Sequence, residues 1–96
     1  MKSLNDILTT LRENKMKLFL SYPIKSMAVF GSFARNEEGS GSDLDVLVEF
    51  NDKIGVRFID LALELEKIVE LKVDLVSKKG IKKGYLESIE EDLIYV

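Results

Sequence analysis

The segment Leu44–Phe50 constrains this chain more than any other. Leu44, Val46, Val48 and Phe50 alternate with Asp45, Leu47 and Glu49, and Asp43 stands just before them. Strand side chains switch face at every residue, so a period of two predicts a strand that carries Asp43 and Asp45 on one face. Upstream, residues 25–30 are apolar almost throughout after Ser26, which suits a strand covered on both faces, and this run ends at Gly31-Ser32. Glu38-Gly39-Ser40-Gly41-Ser42, the most glycine- and serine-rich stretch, connects the two strands as a loop. A Gly-Ser turn, a small-residue connector and an acidic strand thus follow one another directly.

The flanking segments supply helices. Ser3 followed by Asp6 resembles a capping box, and Leu4, Ile7, Leu8, Leu11, Lys15 and Leu18 recur at helical spacing. They predict one amphipathic helix over 4–20, stopped by Tyr22-Pro23 because proline cannot continue the hydrogen-bond ladder. A short helical turn is expected over 33–37. The turn Asn51-Asp52-Lys53 precedes a second helix over 55–70, with Phe58, Ile59, Ala62, Leu65, Ile68 and Val69 as its apolar stripe. Residues 71–77 read as a third strand, with Val73 and Leu75 on one face and Lys72, Asp74 and Val76 on the other. After the turn Lys78-Lys79-Gly80, Gly84 precedes a last helix using Tyr85, Leu86, Ile89 and Leu93. The expected class is α+β: one domain over 1–96, with a small mixed three-stranded sheet covered on one face by helices. The opposite face is expected to be partly polar and to carry the carboxylates.

Composition narrows the chemistry. Seventeen acidic and fourteen basic residues give a net charge of −3, so no fold-wide positive field exists to grip a nucleic-acid backbone. The absence of Cys and His removes thiol nucleophiles, disulfides and imidazole bases or ligands. No signal-peptide pattern and no bilayer-length apolar run are present, so the expected location is cytoplasmic, without a membrane partner.

Carboxylates remain. Asp43 and Asp45, side by side on one face, repel when ionised, so the site should raise one pKa or bind a cation. Mg²⁺ suits them, being hard, oxygen-seeking and left with positions for substrate phosphates. Asp74, on another strand, is the expected third ligand and an available general base. Gly31 allows close approach of a triphosphate, Ser32 offers its hydroxyl and N–H, and a following helical turn favours anions. Arg35 has the forked donors that hold phosphates, although Glu37 and Glu38 are alternative partners for it. The loop does not match a P-loop, since no Gly-Lys-Ser/Thr follows. Lys78, Lys79, Lys82 and Lys83 form a basic cluster, read first as a solvated turn and second as a contact for an acidic partner or RNA.

Gly31-Ser32-Phe33-Ala34-Arg35, then Ser42-Asp43-Leu44-Asp45-Val46-Leu47-Val48, resembles the signature of the minimal nucleotidyltransferases in the DNA polymerase beta-like superfamily. Val73-Asp74-Leu75-Val76 is similar to that family's third acidic strand, and the likeness covers nearly the whole chain. It implies a nucleotidyltransferase core with Asp43, Asp45 and Asp74 as metal-binding and catalytic carboxylates. Gly31 and Ser32 take the phosphate-binding role, and Arg35 matches an arginine common there. Asn36 departs from the glycine of many relatives, which is expected to affect the local turn rather than the chemistry.

The resemblance further implies Mg²⁺ as cofactor and ATP or another nucleoside triphosphate as donor. Larger superfamily members grip base and acceptor with an additional domain, so a partner protein or a homo-oligomer is expected to complete this site. Many minimal members are similar to antitoxins encoded beside a HEPN-type ribonuclease toxin, and some transfer AMP to a toxin tyrosine. Two classes of function follow: an enzyme that transfers a nucleoside monophosphate, or a non-catalytic binding module that neutralises a partner by direct contact.

Overall fold

A computed structural model describes residues 3–37 and 43–96 of the chain. The first helix, α1 (Leu4–Glu13), begins at the capping box: the Ser3 hydroxyl accepts from the Asp6 N–H and the Asp6 carboxylate accepts from the Ser3 N–H, each at 3.2 Å. Two orphan donors are thereby satisfied, and Ile7, Leu8 and Leu11 turn inward.

The single helix expected over 4–20 is in fact two, because Asn14 interrupts it. The Asn14 side chain donates to the Thr10 carbonyl at 2.8 Å, competing for the acceptor that its own N–H reaches at 3.3 Å. A second helix, α2 (Lys15–Ser21), then buries Leu18 and ends before Pro23.

Strand β1 (Ile24–Phe30) runs into a one-turn helix, α3 (Gly31–Ala34). The expected loop over 38–42 lies outside the described residues. Strand β2 (Leu44–Phe50) pairs antiparallel with β1. Helix α4 (Arg57–Val69) crosses over to β3 (Val73–Ser77), which therefore lies parallel to β2. Helix α5 (Lys83–Ile89) leads to a short β4 (Ile94–Tyr95), antiparallel to β1. One-turn 3₁₀ helices occupy Lys78–Gly80 and Glu90–Asp92.

Among the described residues the sheet is mixed, as expected, but has four strands in the order β3-β2-β1-β4 rather than three. The fourth strand was unreadable locally: two residues carry no periodicity, and only pairing with Ala28 and Val29 makes Ile94 and Tyr95 a strand.

The helix layer of α1, α2 and α4 covers one face. There Met27, Val29, Leu44, Val46 and Val48 meet Ile7, Leu11, Leu18, Leu61, Leu65 and Val69, all buried. On α4 the inward stripe is Leu61, Leu65 and Val69, whereas Ile59, expected in the core, is 63% exposed. The opposite face is only partly polar. Phe30 and Leu47 form a second, smaller core with Ile89, flanked by Val76, Ile81, Leu86 and Leu93. Helices therefore lie on both faces, because Leu47 and Val76 project away from the main layer and need a cover, which α5 supplies. The carboxylates are left at the uncovered end of that face.

Candidate active site

Strand register assembles the site. Phe30 pairs with Asp45, and Asp45 pairs with Asp74 across the parallel β2–β3 ladder. Paired residues project on the same face, so the two aspartates stand side by side at the strand ends where Gly31 begins α3. They are close enough to hydrogen-bond when one of them carries a proton.

Burial raises the Asp45 pKa from 3.8 to about 6, and the charge of Asp74, its hydrogen bond and the charge of Asp43 push the same way. Arg35 opposes the shift. Asp45 is half-buried, while Asp43 and Asp74 are exposed. Asp43 acts on Asp45 through its charge; among the described residues no three acidic side chains converge into one coordination sphere.

Gly31 is required twice over. Its φ of +77° lies in the left-handed region, and a Cβ there would collide with the Asp45 carboxylate. The same absence of a side chain brings the backbone of the turn against Asp45. Ser32 follows in the first turn of α3, half-buried, and its carbonyl accepts from the Glu37 N–H at 2.8 Å. The helical turn starts at Gly31, two residues earlier than expected, so Ser32 sits at its opening rather than ahead of it. Asn36 has φ +56°, which explains both the usual glycine and the tolerance of asparagine, the residue that best accepts this conformation after glycine.

Arg35 is exposed and bonded to carboxylates. Its Nε donates to Glu37 at 2.8 Å and its Nη1 to Asp92 at 2.9 Å, and these bonds raise its pKa. Glu37 was one of the partners that the sequence offered. Asp92 was not, since it lies 57 residues away and only the return of the chain after α5 brings it here.

The donor set fits a hard divalent cation. It consists of carboxylate oxygens, and burial, reinforced by the charges of Asp74 and Asp43, already lifts the Asp45 pKa to about 6. A glycine turn thus opens beside strand-borne carboxylates on a mixed sheet, in a chain that has no thiol or imidazole.

Comparison with known proteins agrees. Residues 7–96 match the nucleotidyltransferase domain, and the chain belongs to this family of nucleotidyltransferase-type enzymes. A Methanocaldococcus jannaschii protein named as a candidate protein adenylyltransferase is 44% identical over 98 residues, covering all of both chains. Protein adenylyltransferase MntA of Thermococcus cleftensis is 34% identical over 97 residues, covering 100% of this chain and 98% of that protein. A solved structure described as a minimal nucleotidyltransferase superposes with a TM-score of 0.81 at 32% identity, over 97% of this chain and 95% of the other. The antitoxin of a Shewanella oneidensis complex with a tri-AMPylated HEPN toxin shares the fold at a TM-score of 0.60 and 20% identity, over 96% of this chain and 66% of that one.

Proposed function

We propose that this chain transfers AMP from ATP to a hydroxyl of a protein acceptor, in the cytoplasm, as the antitoxin of a HEPN-type toxin. The observation that carries this reading is the pairing of Asp45 with Asp74 in register beside the Gly31 turn. The names of the relatives, protein adenylyltransferases among them, supply the donor and the acceptor class. The toxin partner comes from the Shewanella complex.

In this reading Asp45 and Asp74, with Asp43 as the third carboxylate, would hold Mg²⁺, which would neutralise charge on the triphosphate. Gly31 and Ser32 receive the phosphates through backbone N–H groups and the Ser32 hydroxyl. The acceptor oxygen forms a bond to the α-phosphorus, the α–β phosphoanhydride bond breaks, and pyrophosphate leaves. Asp74, the more exposed of the register pair, takes the proton of the acceptor hydroxyl. Arg35 reaches the phosphates once Glu37 and Asp92 release it.

The test is intact-mass measurement of the neighbouring-gene product after incubation with this protein, Mg²⁺ and each triphosphate in turn. An added AMP mass that disappears with the Asp43→Asn/Asp45→Asn double variant supports the reading. A partner neutralised without any change of mass, equally by the double variant, refutes it and favours neutralisation by contact. One observation favours that second reading: the guanidinium expected to hold phosphate is bonded to two carboxylates.

A further inference from the structure

The row of Phe30, Asp45 and Asp74 changes character along its length. At the β1 end Phe30 is buried in the small core that Ile89 of α5 completes, and at the β3 end Asp74 is exposed. Tyr85, in the first turn of α5, stands against the β1 end of this row. Its ring packs on Phe30 with centroids 6.4 Å apart and planes at 82°, yet the residue remains 49% exposed. Perpendicular rings meet edge to face, so Phe30 occupies at most one face of the tyrosine. The Tyr85 hydroxyl has no hydrogen-bond partner among the described residues, so no polar bond accounts for a large ring held half in water.

We propose that Tyr85 is the platform on which the base of the nucleoside triphosphate stacks. The inference rests on the reading above, in which the phosphates lie at Gly31 and Ser32, and it adds the part of the substrate that reading leaves unheld. Gly31 follows Phe30 directly, so the residue that Tyr85 touches adjoins the phosphate-binding turn and pairs with Asp45. A base needs a flat apolar surface near that turn, and stacking on an aromatic ring supplies one. Other aromatic side chains are badly placed for it. Phe33 is buried in the main core, and Phe30 is itself covered. Tyr95 is exposed, but it pairs with Ala28 from the β4 edge, which puts β1 between it and both aspartates.

Charge favours the same occupant. Asp45 and Asp74 make this end of the face acidic, which opposes any further anion but leaves a neutral base unopposed. Stacking also fixes what Tyr85 can select. Every base has a π-face, so the contact rewards ring area rather than a hydrogen-bond pattern: purines over pyrimidines, with adenine and guanine treated alike. This chain thereby holds the base with its own α5, without an additional domain for that task.

Titration calorimetry of the full chain in Mg²⁺ tests the proposal with two probes, the non-hydrolysable α,β-methylene analogue of ATP and inorganic tripolyphosphate. Tyr85→Leu, which keeps an apolar contact with Phe30 but has no flat face, should weaken the ATP analogue by roughly tenfold or more and leave tripolyphosphate unchanged. Tyr85→Phe should bind both probes as the wild type does, and so should Tyr95→Ala, with circular dichroism confirming that each variant is folded. Wild-type affinity of Tyr85→Leu for the analogue would overturn the proposal, and so would a parallel loss of both probes, the mark of a merely structural ring. An AMP mass added to Tyr85 of this chain after incubation with ATP would also overturn it, since the ring would then present an acceptor hydroxyl. A wild type that binds tripolyphosphate but gives Tyr85→Leu no defect leaves the phosphate site standing. A wild type that binds neither probe removes that site and this inference together.

Discussion

Replacing Asp45 by asparagine should make the metal-free protein more stable while removing its activity. Burial and the neighbouring charges of Asp74 and Asp43 lift the Asp45 pKa from 3.8 to about 6, so the folded state binds this proton more tightly than the unfolded chain. A raised carboxylate pKa stabilises the fold below the unfolded value, and that contribution is lost as pH rises through about 6. A shift of two units corresponds to at most about 3 kcal/mol, and partial solvent exposure reduces this to about 1 kcal/mol. Asparagine keeps the shape, carries no charge and can donate to the Asp74 carboxylate. The Tm at pH 8, with chelator present, should therefore rise by about 4–8 °C, the change that 1 kcal/mol produces in a domain of this size. The gain should shrink towards zero at pH 4, where the wild-type carboxyl is protonated. Millimolar Mg²⁺ should raise the wild-type Tm more than that of the variant. An equal or lower Tm at pH 8, or a gain that persists unchanged at pH 4, would refute the reasoning.

Gly31→Ala should destabilise the fold by about 1–3 kcal/mol through its left-handed backbone and the collision with Asp45. Combining it with Asp45→Ala should cost less than the sum of the two in urea melts, because the collision partner is gone. Asp92→Asn should loosen Arg35, leaving it only the Glu37 bond, and lower the KM for triphosphate, whereas Arg35→Ala should raise it; steady-state kinetics showing no change in either removes Arg35 from the site. Leu61→Ala should cost about 2–5 kcal/mol in chemical denaturation, while Ile59→Ala, measured on dilute protein, should change stability by less than about 0.5 kcal/mol.

The site was more legible in the sequence than its surroundings. Period-two alternation through Leu44–Phe50 put Asp45 opposite the core, and the same alternation through Val73–Ser77 put Asp74 on a matching face. These are local patterns, and register turned them into neighbours. What could not be read depends on distant contacts or on competition between similar signals. Asn14 splits a helix whose apolar spacing runs straight through it, because a side-chain hydrogen bond leaves no trace in hydrophobic periodicity. Ile59 and Leu61 are both good apolar candidates on α4, and only the direction from which the sheet packs decides between them. Likewise Asp92 meets Arg35, and Ile94–Tyr95 becomes a strand, only because the chain returns after α5.

The row formed by Phe30, Asp45 and Asp74 ties the acidic end of the sheet to its oily interior. Sliding β2 by a single residue would swing Asp45 beneath the helices and take Leu44, Val46 and Val48 out of the main core. Packing of the main core therefore disfavours other alignments of the acidic strand without help from any ligand. The greasy side of the sheet acts as the jig that holds the charged side true.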